Sequence, residues 1–196
     1  MNFKNFILNW ERRFDREVID RFRDGLLSFA KDREAEIGKE YDIENQETWE
    51  NGFERQAYLS FLEDEASYLS EIIQLGDELS IIALYKKIEL TRKRILKKSL
   101  DNLNERKLSD FDYLKNDLGF DVTLIAGAAS IDELRLINNA IKHEGNVTRG
   151  LACYQGWIEG EKLSGLGAAY KRLATESEVY IASLVDEIKS YNENIT

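Results

Sequence analysis

Not one of the 196 residues of this chain is proline. Ordinary usage would supply about ten. Proline fixes φ, removes a backbone donor and breaks helices, so a chain without it meets few forced interruptions. That suits long helices. Charged residues at 33% and hydrophobic ones at 43% fit a folded globular chain rather than a disordered one. The expected fold class is all-α: a multi-helix bundle of about six helices. It forms a single helical domain over 1–196, with a Gly-rich loop between the last two helices.

The segments follow from apolar spacing and punctuation. Phe3, Phe6, Ile7, Trp10, Phe14, Ile19, Phe22 and Leu26 predict a helix over 2–38. Residues 39–47 are polar and predict a loop. Thr48 is an acceptable N-cap for a second helix over 48–75, carrying Phe53, Tyr58, Phe61, Leu62 and Leu69. Gly76 and Asp77 punctuate. A third helix is expected over 78–104, with Leu79, Ile82, Leu84, Tyr85, Ile88, Ile95 and Leu96 mostly inward. Ser109 starts a short helix over 109–118, and GFDVTLIAGAA at 119–129 reads as extended chain or loop. Residues 145–168 hold six of the 12 glycines, with Tyr154 and Trp157 among them. Long loops of that kind are often functional or mobile. Thr175 with Glu178 has the capping-box spacing and starts a last helix through Tyr191.

The segment richest in chemistry is SIDELRLINNAIKHEG at 130–145, which contains the only histidine, His143. Imidazole is the one unperturbed side chain that titrates near neutral pH. Ser130 with Glu133 forms a second capping-box pattern, and Gly145 is a natural stop. At about 100° per residue, Leu134, Leu136, Ile137, Ala140 and Ile141 fill one arc of this helix. Arg135, Asn138, Asn139, Lys142 and His143 fill the opposite one. Arg135, Asn139 and His143, spaced four apart, form one row along it. Such a face is also ordinary solvated surface with cations at the negative end of a helix.

The run NNAIKH resembles the signature of the HEPN superfamily of small all-helical proteins. Their hallmark is Arg, a polar residue, a short spacer, then His. The resemblance covers about 15 residues, a local motif rather than a fold-wide match. It implies a homodimer in which Arg and His of two protomers cleave RNA without a metal, in toxin or anti-phage defence systems. Carried onto this chain it makes His143 the proton-transfer group, Arg135 and Lys142 the phosphate holders, and Asn138 and Asn139 the orienting amides. The sequence departs from the hallmark at one place. Asn138 stands where the Arg belongs, and the nearest Arg on that face, Arg135, is eight residues from His143. Asn cannot supply a cationic fork for phosphate. Arg135 substitutes, or Lys142 does, or the chain is a catalytically inactive relative used for dimerisation or binding a protein partner.

Charge bounds the rest. A net charge of −10 argues against broad nucleic-acid binding. The cations concentrate in KKIELTRKRILKK at 86–98: Lys86, Lys87, Arg92, Lys93, Arg94, Lys97 and Lys98, with Glu89 the lone acid. That run is either a solvated helix face or an RNA-binding strip. No aromatic residue interleaves with it, so base stacking is not signalled. The single Cys153 rules out an intramolecular disulfide and a cysteine zinc site. With one His, and with Glu63, Asp64 and Glu65 splayed about 100° apart each on a helix, no metal site and no cofactor are expected. No apolar run approaches the roughly 18 residues a membrane span needs. The N-terminal MNFKNFILNWERRFDRE has no apolar leader core, so a cytoplasmic location is expected.

Overall fold

The computed structural model describes residues 3–44, 51–100 and 103–195. The fold is all-α. Among the described residues there are six α-helices: α1 (Phe3–Glu11), α2 (Glu17–Glu44), α3 (Gly52–Ser99), α4 (Phe111–Asn116), α5 (Ala128–His143) and α6 (Leu166–Ile195). Short 3-10 turns lie at Glu105–Lys107, Val122–Leu124 and Leu151–Cys153. The chain divides into two compact units. One comprises 1–16 and 81–196, the other 17–80, and the division falls inside α3.

The expected helix over 2–38 is two helices. The chain leaves α1 at Glu11, buries Phe14 in the connection, and restarts at Glu17. Glu17 and Asp20 in the first turn of α2 complement its positive end. The opposite correction applies at Gly76 and Asp77, which do not separate two helices: α3 runs through them for 48 residues. Gly76 marks a close approach. A Cβ there would collide with Cδ2 of Leu26. Asp77 accepts from Arg23, whose guanidinium is buried beside it at 2.9 Å. The glycine that looks like a break therefore lets α2 lie tightly on α3. Thr48, expected as an N-cap, lies outside the described residues.

Within the 17–80 unit, α2 and α3 are antiparallel. Arg23 pairs with Asp77, Arg33 with Glu65, and Tyr58 donates to Glu40. Its core is small: Ala30, Ile37, Leu62 and Leu69, with Tyr41, Tyr58, Ile72 and Ile73 packed against it.

The other unit is deeper. Leu84, Ile88, Ile95 and Leu96 of α3, Leu134 and Ile137 of α5, and Leu173, Ile181, Leu184, Val185 and Ile188 of α6 are completely buried. α4 is capped by Asp110 rather than Ser109, because the Asp110 carboxylate accepts from the amides of Asp112 and Tyr113. Residues 119–127 form a loop containing the turn at Val122–Leu124, capped by Asp121, while Ala128 and Ala129 of the expected 119–129 loop already belong to α5. α6 starts at Leu166, nine residues before the expected Thr175. That threonine lies inside the helix and donates to the Lys171 carbonyl. The Gly-rich connection is cross-stitched: Val147 N–H donates to Glu161 O (2.8 Å), Gly160 N–H to Val147 O (2.9 Å) and Leu163 N–H to Gly145 O (3.0 Å).

Candidate functional site

α5 begins at Ala128, two residues before the expected Ser130 cap, because Gly127 turns the chain into it. Gly127 has φ +82°, and a Cβ there would sit 2.9 Å from the Glu176 carbonyl and 3.0 Å from Tyr180 Cβ. Glycine alone meets both demands. This contact brings the start of α5 against α6. Gly127 has no side chain to cap the helix, and neither Asp nor Glu lies in its first turn.

The capping-box reading of Ser130 and Glu133 is therefore corrected. Glu133 does not reach back to a cap amide. It is 3% exposed and accepts from Trp157 Nε1 (2.8 Å) and from Arg172 Nη1 (2.8 Å) and Nη2 (2.7 Å). This is a buried carboxylate satisfied by one neutral donor and one bidentate guanidinium. It fastens the Gly-rich connection and α6 to α5.

The polar row divides. Asn139, Lys142 and His143 are exposed, as the spacing predicts. Asn138 is not on that face: it is 1% exposed, its Nδ2 donates to Asn139 Oδ1 at 3.3 Å, and its own Oδ1 has no partner. Four residues advance a helix by about 40° beyond a full turn, so Asn138 falls close to the buried Leu134. Arg135 is half-buried and committed. Its Nε (2.9 Å) and Nη2 (2.7 Å) donate to Asp132 Oδ1, and its guanidinium lies 5.3 Å from the Phe111 ring. Eight residues of helix put about 12 Å of rise between Arg135 and His143. Of the five expected site residues, three share the exposed end of α5.

Asp132 has a second partner. Tyr154 Oη donates to Asp132 Oδ2 at 2.8 Å. Burial, then this hydrogen bond, holds the Tyr154 phenol well above its ordinary range, so it stays a protonated donor. The sequence reading missed Asp132, Glu133, Tyr154, Trp157 and Arg172 as a connected set. An acid three residues before Arg135 was the signal available for the first of these.

The cationic run is largely neutralised. Lys86 and Lys93 pair with Glu89 (3.8 and 2.7 Å), Lys87 with Asp15 (3.9 Å) and Lys97 with Glu105 (2.6 Å). Arg94 and Lys98 both pair with Glu11 (2.6 and 2.9 Å). The seventh cation differs. Arg92 is 4% exposed, its Nε has no hydrogen-bond partner, and no described carboxylate pairs with it. It faces a cavity of about 260 Å³ bounded by residues of α3, α4, α5, α6 and the two loops that flank α5.

Among the described residues no group of three His, Cys, Asp or Glu side chains could hold a metal ion, and no helix is long and apolar enough to cross a membrane. Comparison with protein-family models, with curated proteins and with solved structures gave no match.

Proposed function

We propose that this chain is a HEPN-like helical module that dimerises through its 17–80 unit and does not cleave RNA. One observation carries the reading. On α3, Phe61 (57% exposed), Tyr68 (64%) and Leu75 (55%) recur every seven residues, while Phe22 and Phe29 are exposed with the same spacing on α2. Seven-residue repetition of apolar side chains is the seam along which helices pair. Exposed apolar rows of this kind suit an association surface. The occupant is a second copy, because two antiparallel hairpins with such stripes close a four-helix arrangement under two-fold symmetry.

The ribonuclease alternative loses Arg135 as a free phosphate holder in this geometry. Arg135 is held by Asp132, Asn138 is interior, and the cations of 86–98 other than Arg92 already have carboxylate partners. What favours it is the exposed trio Asn139, Lys142 and His143. Sedimentation equilibrium tests the proposal. The wild type is expected to be a dimer, and Phe61→Glu with Tyr68→Glu a folded monomer by circular dichroism. A monomeric wild type at high micromolar concentration overturns it. In parallel, chelator-resistant RNA cleavage that is lost in His143→Ala would establish the ribonuclease instead.

A further inference from the structure

Buried charges in folded proteins have partners, because an uncompensated one is strongly unfavourable. Arg92 departs from that pattern. It is 96% buried, since 4% of its surface is exposed, and its Nε meets no acceptor. The nearest acid bounding the same cavity, Asp132, is already occupied. Its Oδ1 accepts two bonds from Arg135 and its Oδ2 accepts one from Tyr154. The cavity therefore retains one net positive charge.

A second feature lies on the same wall. Ala128, Ala129 and Ile131, in the first turn of α5, and Asp132 just beyond it, border the cavity. The first backbone bond of this helix is Ile131 N–H to Gly127 O, and the Ala128 amide is used by Ile125 O. With no side chain at Gly127, the amides of Ala129 and Ser130 are left without a protein acceptor among the described residues. Unsatisfied amides at the positive end of a 16-residue helix form an anion-binding surface. Of the two, Ala129 belongs to the wall of the cavity that Arg92 faces.

We propose that this cavity binds a small organic monocarboxylate, its carboxylate on Arg92 and the start of α5 and its apolar body against Phe111, Val122, Ile131 and Tyr180. One uncompensated cation matches one negative charge. The Nε–Nη edge of a guanidinium presents two parallel donors to a planar carboxylate. The remaining walls are mostly hydrocarbon and aromatic, as in pockets that take small organic ligands rather than hydrated inorganic ions. The site is independent of whether the chain dimerises.

Benzoate is the test ligand, benzamide its neutral isostere, and inorganic phosphate the purely ionic control, each titrated calorimetrically against the full chain. Benzoate should bind, with benzamide and phosphate weaker by about tenfold or more. Arg92→Met should abolish benzoate binding while raising the melting temperature of the unliganded protein, because it removes an unpaired buried charge. Ala129→Phe, at an exposed position on the cavity wall, keeps Arg92 but should also block benzoate, so the test survives if Arg92→Met fails to fold. Equal binding of benzoate and benzamide overturns the proposal, as does tighter binding of phosphate, no benzoate binding at millimolar concentration, or unchanged affinity in either folded variant.

Discussion

The two units use apolar residues in opposite ways. In the 1–16/81–196 unit, the apolar positions of α6 at Ile181, Leu184, Val185 and Ile188 are completely buried, as are those of α5 at Leu134 and Ile137. In the 17–80 unit, α2 and α3 are rich in aromatics, yet Phe22, Phe29, Phe53, Phe61 and Tyr68 are exposed and the core is four residues with their partly covered neighbours. Helical periodicity therefore says which residues share a face. It does not say whether that face is covered by this chain. Ion pairs compensate in part: Arg33 bridges Glu65, Glu36 and Glu40 across and along the hairpin.

The largest expected effect that separates the units is cavity formation. Leu184→Ala should cost about 4 kcal/mol in chemical denaturation. Phe61→Ala or Phe29→Ala, measured at low protein concentration, should change stability by less than about 0.5 kcal/mol. A similar cost for Phe61→Ala would mean that its ring is covered in solution even in the monomer.

Next in size is Asn138. Replacing it by Arg, which would restore the hallmark cation, should instead destabilise by about 3 kcal/mol, because the side chain enters an interior with no carboxylate partner. Asn138→Leu removes the unpaired Oδ1 and should stabilise by about 1 kcal/mol. Thermal melts of the two variants decide it, and a neutral Asn138→Arg would put that residue back on the surface.

Acid provides a third comparison. Burial alone would raise the Glu11 pKa, but hydrogen bonds from Lys98 and Arg94 outweigh it and hold the carboxyl below its ordinary 4.5. Glu65 is lowered chiefly by its hydrogen bonds from Arg33. Both folded values lie below the unfolded ones, so the stabilisation is present at neutral pH. It disappears as pH falls through the depressed folded values. Melts taken down to about pH 3 should show Glu11→Gln flattening the acid limb more than Glu65→Gln does, since the Glu65 pair is water-accessible and screened by salt. The reverse order would contradict the pairing of the buried Glu11 with Arg94 and Lys98 of α3. The smallest effect is expected at His143→Ala, within about 0.5 kcal/mol of wild type, as for an exposed residue in a last helical turn.

The helical class was legible from the missing prolines and the apolar spacing, and so was most of α5, down to the exposed Asn139, Lys142 and His143. Boundaries were less so. Gly76 looked like a break because sequence cannot distinguish a glycine that ends a helix from one that admits a neighbouring Leu26. Thr175 and Ser130 had cap spacing, yet the helices had already begun at Leu166, behind Gly165 at φ +67°, and at Ala128, behind Gly127 with its tight contact to α6. The ionic cluster was invisible for a different reason. Arg135 with Asp132 is local, but Tyr154 to Asp132 and Arg172 to Glu133 span 22 and 39 residues. Arg92 could not be told from its six neighbouring cations, since only burial separates it from them.

Cys153 is the chain's only cysteine, is exposed, and directly precedes Tyr154, one of the residues at the cavity wall. A single maleimide fluorophore would therefore label the native protein at one defined position, with no engineered mutation. The neighbouring phenol is tied to Asp132, so the dye would sit one residue of backbone from the cavity wall. The molecule thus comes with its own reporter, whose emission can be followed in dilute solution where calorimetry lacks sensitivity.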